Sequence, residues 1–598
     1  PLLARLKHTA DGTMLTRAAY PIPCLRHQLF CAWSRTEKNP PEGMDAYRLN
    51  EVLIPDGCHL FAFTPHQGQV GSKGLRFALP DTCEDCNRRH IKRHPASGVR
   101  ACIDDSRWLR AGRLVNFNAE SFLIEFGPLN TESNLRLHPG KIVTLSLREG
   151  RNTCYTGPCR VMPQAHTAPR DGLVLMPLND PVRCLEPKRH RCERYQPDLR
   201  PDVTFTHPLL KRSQVLKAED LSGGGFAVSE PRADSVLLPG MRIHDLVLRF
   251  QDCHSIRCEV LVVYRNRDMS ARSREPKMRC GLVITDISPA DHTHLLAYLT
   301  HARNQHTYAC NPVDMEALWH FFFETGFIYP EKYVGFGEQA ETIKSTYKRL
   351  YLNPSNISRH FIYQEDGVIL GHVAGVRAYE ESWMIHHLAA NTSVSPMAGL
   401  AVLKQVGHFL MAASNIASSR LKYILNYYQA EKKFSRRLWG GVARCINAPE
   451  SCCEYVFTYL RIHNRVSALN LPLEGYKLQP CLRKDLTVLQ KAYRLEHGDL
   501  MLSALDLVPE RINANALSDE YRRMRLQRRR KLYSIKRGAK LEAICMVIQT
   551  DAGLNMSDLI NNIQVLIMPN SEMPAAALQQ ILQTLAEPFD QEDVAVML

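Results

Sequence analysis

The chain has 598 residues, 45% of them hydrophobic and 23% charged, with a formal net charge of +14. That length exceeds one core and predicts roughly three to five domains, and the composition is ordinary for folded, soluble protein. No run reaches the roughly 18 uninterrupted apolar residues of a membrane span, the N-terminus lacks the apolar stretch of a secretory signal, and a cytoplasmic protein is expected.

The nineteen cysteines are scattered and odd in number, which argues against a disulfide framework. The excess of positive charge points to an anionic partner: nucleic acid, a nucleotide, a cofactor or a membrane surface. A nucleic-acid role lacks interleaved aromatics or a recognisable motif; its support is the net charge and the stretch "DEYRRMRLQRRRK" (519–531), read as a basic helix.

Residues 1–80 carry short strand patterns, "CHLFAFT" and "GLRFALP", and read as a small β-rich region. From 83 to 300 the apolar period is mostly two, with turn residues between short runs, as in a β-barrel or sandwich. The same stretch repeats. "RRH" at 88 returns as "KRH" at 188, "NFNAESFLIEF" at 116 as "DLSGGGFAVSE" at 220, "HPGKIVTLSL" at 138 as "LPGMRIHDLVL" at 238, and "DGLVLMPL" at 171 as "CGLVITDI" at 280. Four landmarks in one order, displaced by 100 (88 to 188) to 109 (171 to 280) residues, predict two tandem β-domains.

Helix "DHTHLLAYLTHARNQ" closes the second copy. Two helical patterns follow, "MEALWHFFFETGF" and "ETIKSTYKRLYL", then three strands between Ser358 and Asn391. A long apolar helix ("SPMAGLAVLKQVGHFLMAAS"), a strand ("LKYILNYYQA") and a helix ("EKKFSRRLWGG") complete an α/β layer domain. Residues 476–598 begin a similar series again.

Three glycines follow Ser222 in "EDLSGGGFAVSE". They are not a Walker loop, which requires Lys-Ser/Thr opening a helix, whereas this run enters an alternating strand. A turn or bulge using φ > 0 is one reading. The other uses the spacing Asp220-x-Ser222-x-x-Gly225 downstream of the arginine-rich "KRHRCERY" (188–195). This pair resembles the PilZ family, whose β-barrels carry RxxxR before the first strand and [D/N]xSxxG on a following one, over residues 185 to 300 of this chain.

The resemblance implies a cyclic di-GMP site with Arg189, Arg191, Arg194, Asp220, Ser222 and Gly225 as its residues. Guanidinium forks suit phosphate or guanine O6/N7; Asp220 would accept from guanine N–H groups, Ser222 would add a hydrogen bond, and Gly225 would permit close approach. The strict four-residue step pairs His190 with Arg194, so Arg189 or Arg191 must supply the second guanidinium. In the first copy Arg89 and Arg93 satisfy RxxxR beside Arg88, but the second motif reads Asn116-x-Asn118-x-x-Ser121. That copy is expected to be structural, or at best a weaker second nucleotide site. Cys83, Cys86, His90 and His94 overlap it as C-x2-C-x3-H-x3-H, donors that suit zinc, but the spacing is compressed for a metal site, and no metal is the preferred reading.

Residues 313 to about 465 resemble the GNAT acyltransferases in the order of their elements. The resemblance implies acetyl-CoA or another acyl-CoA bound at the turn opening the long helix, through Ala398, Gly399 and Ala401, with Ser395 where the family has Gln/Arg. An amine acceptor would attack the thioester, with His386, His387 or Glu454 as candidates for proton handling; the alternative for the two histidines is a place in the core. Altogether the expected fold is multidomain α+β. A β-rich region (1–80) precedes two tandem PilZ-like antiparallel barrels (81–180, degenerate, and 181–303), then one GNAT-like α/β domain (313–475) and a second, partial one (476–598). The expected function is a cyclic di-GMP effector whose second barrel regulates an acyltransferase-like module, or a non-catalytic receptor acting through a protein partner.

Overall fold

The computed structural model describes residues 2–25, 27–34, 43–56, 59–65, 67–85, 91–106, 109–126, 138–162, 172–178, 193–250, 254–268, 276–310, 313–328, 339–464, 475–497, 499–551 and 553–598. Among these, no helix is long and apolar enough to cross a membrane. Eight strands between Leu2 and Asp85 form one antiparallel sheet, with Ala4, Leu6, Val52 and Phe77 in its core.

Two rings of six strands follow. In chain order the first comprises Arg100–Asp104, Leu109–Asn118, Ser121–Glu125, Ile142–Glu149, Asn152–Val161 and Gly172–Pro177. The second comprises Asp202–Thr206, Ser213–Ser222, Gly225–Pro231, Arg242–Arg249, Ser255–Arg267 and Lys277–Ile287. Each ring pairs its strands in the cyclic order one-two-three-six-five-four and closes back on the first; the Arg100–Asp104 and Leu109–Asn118 pairing closes ring one. The repeated landmarks occupy equivalent places. Phe122 and Phe226 both sit on the third strand, buried and facing Phe117 and Leu221 across the hairpin.

Closure removes the exposed edges that an open antiparallel sheet would present. The two barrels share one core: Met241 bridges to Tyr155, Thr156 N–H donates to Gly240 O (3.0 Å), and the His207 ring stacks on Phe117. Helix α1 (Pro289–Arg303) follows directly, started by Pro289 and by Ser288 Oγ, which accepts from Asp291 N–H (3.1 Å).

The C-terminal half repeats as well. Its first unit runs strand Thr307–Ala309, helices α2 (Met315–Glu324) and α3 (Ala340–Tyr351), and three antiparallel strands, Ser358–Glu365, Val368–Tyr379 and Ser382–Ala390. Helix α4 (Ala398–Ala413) and the parallel strand Tyr423–Asn426 complete the sheet, and helical run α5 (433–446) follows. The second unit opens with strand Tyr476–Pro480 and helices α6 (Arg483–His497), α7 (Leu500–Ala504) and α8 (Ala516–Arg523). Strands Arg528–Arg537, Lys540–Thr550 and Asn562–Ile567, helix α9 (Ala575–Ala586) and the parallel strand Asp593–Met597 complete it. Strand Tyr459–His463 adds to its edge. Strand order and sense match between the units, so residues 476–598 repeat the five-stranded sheet of the unit before, with three helices in place of two ahead of its long strands.

The basic stretch 528–531, expected in a helix, lies instead in the strand after α8. Arg528 is buried and donates to Ala378 O (2.9 Å), while Arg530 donates to Asp506 O (2.7 Å). Arg528 thereby fastens the two units together, while Arg530 ties its strand to the loop after α7 within the second unit. Arg377, 1% exposed, pairs with Glu520 (2.8 Å), Tyr521 donates to Arg377 O (2.9 Å), and one apolar core runs through both units.

Candidate ligand site on the second barrel

Ala218 and Leu221 of strand Ser213–Ser222 point into the barrel core. A register shift between Ala218 and Asp220 turns the Asp220 carboxylate onto the outer wall, where it is 3% exposed beneath two guanidinium groups. Arg194 Nη1 donates to one carboxylate oxygen and Arg279 Nη2 to the other; Arg279 also reaches Glu219 (2.9 Å). Partial burial works against the charge of Arg279, but a hydrogen bond with Tyr264 and the carboxylates of Asp220 and Glu219 outweigh it and hold the group above its ordinary range. A groove of about 310 Å³ runs beside this cluster, lined by Arg200, Lys217, Lys277, Glu219 and Ser229 among others. Ser229 Oγ is buried in that wall with no hydrogen-bond partner among the described residues.

The lead-in segment is fixed by backbone pairing: Tyr195 N–H donates to Leu221 O and Leu221 N–H to Tyr195 O, both at 2.8 Å. That places Arg194 beside Asp220. Arg189 and Arg191 lie outside the described residues.

The three glycines divide their work. Gly225 faces Ser222 across the hairpin, and a Cβ there would overlap the Leu282 carbonyl of the neighbouring strand. Ser222 Oγ donates to Gly225 O (2.9 Å), so in this state the hydroxyl closes the turn. Gly223 and Gly224 meet the C-terminal half: a Cβ on Gly223 would stand 2.8 Å from Ala412 Cβ, and one on Gly224 3.1 Å from Ala412 O. Helix α4 therefore packs directly on the turn. Further contacts join the same surfaces. Lys404 pairs with Glu193 (3.2 Å), Arg303 donates to Glu193 O (2.7 Å), and Ser418 Oγ donates to Ile287 O (2.8 Å).

The first barrel reproduces the geometry with neutral partners. Arg93 donates to Asn116 Oδ1 (2.8 Å) and Ser121 Oγ (3.0 Å), as Arg194 does to Asp220. Asn118 Oδ1 accepts from the Glu120 and Ser121 N–H groups at 3.1 and 2.8 Å, forming a side-chain-closed turn. Arg88, Arg89, Cys86 and His90 lie outside the described residues; Cys83 is exposed, and the His94 ring rests on Phe117. Among the described residues no group of three or more donors could hold a metal.

In the C-terminal half, Ala398 is buried at the start of α4, and Gly399 packs near Ala390. Ala401 continues the first turn, its N–H donating to Met397 O (2.9 Å). His386 and His387 lie inside the first unit, 8% and 3% exposed. The strand beside them, Tyr423–Asn426, pairs no further than Ile385, and the segment between the second and third long strands of the second unit fills the space beyond. From that segment Asn555 Nδ2 reaches His386 Nδ1 (3.2 Å) and Met556 N–H faces His387 Nε2 (3.4 Å). Burial, aided by neighbouring His372, depresses the His386 imidazole to about 3. Both histidines are core residues here, away from Glu454, which accepts from the Tyr428 hydroxyl near α5.

No family model matches the chain, and no curated protein matches it. Among solved structures the chain is similar to Klebsiella pneumoniae MrkH in complex with c-di-GMP, at 11% identity and TM-score 0.18 over 35% of this chain and 88% of that one. It is similar to Escherichia coli YcgR in complex with c-di-GMP at 11% identity and TM-score 0.17, covering 35% and 85%. The Bacillus subtilis inhibitor of motility MotI/DgrA gives 19% identity and TM-score 0.16, covering 36% and 98%. Scores of this size carry no weight for the fold, which stands on the strand pairing above.

Sequence reasoning singled out Arg194, Asp220, Ser222 and Gly225, and the structure brings them together. It missed Arg279, Glu219 and Tyr264. Arg279 reaches Asp220 from a strand 59 residues further on, and no local spacing announces it.

Proposed function

We propose that the chain is a cyclic di-GMP receptor whose second barrel holds the dinucleotide and whose C-terminal units form the output element. The observation that carries this reading is the convergence of Arg194 and Arg279 on the buried Asp220 carboxylate, beside a groove lined by Arg200, Lys217 and Lys277 together with Asp202 and Glu219. Guanidinium groups offer planar forks to phosphate and guanine, and a carboxylate fixed by a second arginine is free to accept from a guanine edge once Arg194 turns to the ligand. Arg189 and Arg191 would complete the cradle. The contacts of Glu193 and of Gly223–Gly224 with α4 give occupancy a route to the C-terminal half, because any ligand that moves Arg194 also moves its neighbour Glu193.

For the output, acyl transfer from an acyl-CoA bound near Ala398–Ala401 is one reading. The burial of His386 and His387 under the second unit favours the other, a receptor that signals by contact with a protein partner. Calorimetry tests the site: the chain should bind one cyclic di-GMP, and Arg194→Ala or Asp220→Ala should abolish the heat. Unchanged affinity in both variants would sink it. A thermal-shift series with acetyl-CoA and longer acyl-CoAs separates the two outputs, since a ligand selective for the native state raises its stability.

A further inference from the structure

Helical run α5 presents an apolar stripe that the other described residues leave largely open, with Leu438 half-buried at its middle. Phe434, Leu438, Val442 and Ile446 recur every four residues, and a π turn over Arg436–Gly440 widens the helix enough to keep them in line. Phe434 is 66% exposed, Val442 44% and Ile446 48%. Of residues 433–446 only Gly440 is buried, so the helix stands proud of the sheet, tethered by Trp439 packing on the core beneath α4.

Cations surround the stripe. Lys432, Lys433, Arg436, Arg437 and Arg444 are all exposed. The acids of the same stretch are Glu431, Glu450 and Glu454, so these five cations outnumber the three carboxylates. An apolar side flanked by Lys and Arg on a convex helix is the signature of a segment lying in a lipid interface. A protein partner would need a groove shaped to one protruding helix, whereas a fluid bilayer closes round it without matched shape. The charge selects the lipid, since an anionic headgroup layer attracts each nearby Lys or Arg.

We propose that α5 docks this protein on an anionic lipid surface, with Phe434, Val442 and Ile446 at the headgroup boundary and the flanking cations against lipid phosphates. The inference is independent of the dinucleotide site.

The full chain should sediment with phosphatidylcholine vesicles containing phosphatidylglycerol, and stay in solution with phosphatidylcholine alone. Replacing Arg436 and Arg437 together by Gln should weaken the partitioning about thirtyfold. Phe434→Ser with Val442→Ser should weaken it at least about tenfold. All four positions are exposed, so thermal unfolding of both variants should match that of the parent chain. Three results would overturn the proposal. One is no sedimentation with the anionic vesicles. Another is sedimentation indifferent to Phe434→Ser with Val442→Ser, which would mark a purely electrostatic contact of the kind nucleic acid makes. The third is self-association of the parent chain, abolished by that double variant without any vesicle binding, which would assign the stripe to a second copy.

Discussion

Lys404 Nζ stands 3.2 Å from Glu193 Oε2, joining helix α4 to the residue that immediately precedes Arg194. The same α4 rests on the Gly223–Gly224 turn, so both halves of the candidate site, the lead-in segment and the strand hairpin, touch one helix. The two contacts differ in strength. The ion pair is exposed on both sides and contributes about 0–1 kcal/mol; the glycine turn is a backbone contact that a side chain would wedge apart. Lys404→Ala should therefore shift cyclic di-GMP affinity by less than about fivefold in calorimetry. Gly224→Val should destabilise the chain by about 1–3 kcal/mol and split its calorimetric unfolding into separate transitions for the two halves.

Arg279 is expected to position Asp220. With Arg279→Ala, the buried carboxylate keeps only Arg194, which is then held on Asp220 and withheld from ligand. Affinity for the dinucleotide should fall by about tenfold, an effect of about 1.4 kcal/mol. Arg279→Lys should recover part of it, because a point charge replaces one arm of the fork. Affinity unchanged in Arg279→Ala would remove the residue from the site.

In the first barrel Arg93 should matter for stability alone. Losing its hydrogen bonds to Asn116 and Ser121 should cost about 1–3 kcal/mol in chemical denaturation. The stoichiometry and affinity of the dinucleotide should not move. A loss of one bound ligand per chain would instead reveal a second site there.

Acid should loosen the junction between the barrels. His207 Nδ1 accepts from the Leu209 and Leu210 N–H groups (3.2 and 3.0 Å) while Nε2 faces Val236 O (3.1 Å), so the neutral ring is fully satisfied and a proton on Nδ1 would oppose two donors. Burial takes this imidazole down to about 4. A folded-state value below the unfolded one means the unfolded chain binds the extra proton first. The stabilisation is complete above about pH 6.5 and is lost as pH falls towards 4, up to about 3 kcal/mol. Unfolding midpoints across that range should fall with pH. The slope should be shallower in His207→Gln.

The tandem barrels and the core of the candidate site were legible because their determinants are local. Period-two apolar runs, Pro-Gly turns and the Asp220-to-Gly225 spacing all lie within a few residues of one another. What escaped depends on pairing across the fold. Arg279 enters through the register of Lys277–Ile287 against Gly225–Pro231, which places it opposite Ser229. Arg528 and Arg530 resembled part of a solvated helix, but their alternation brings them to buried carbonyl acceptors, Ala378 O in the other unit and Asp506 O in their own. Gly223 and Gly224 appear in sequence as turn residues, and only the approach of α4 explains why neither carries a side chain.

The core common to residues 313–328 and 475–567 also sets a timetable for synthesis. Tyr379 waits for Gln564, 185 residues downstream, before its hydroxyl finds the side-chain amide at 2.9 Å. At roughly 5–20 residues per second that interval is about 10–40 s. During it the barrels can complete themselves on the ribosome, while the strand bearing Arg377 and Tyr379 remains open. The C-terminal half is thus a natural client for holding chaperones, and a fragment truncated after residue 475 should be recovered as aggregate, whereas one ending at 310 should stay in solution.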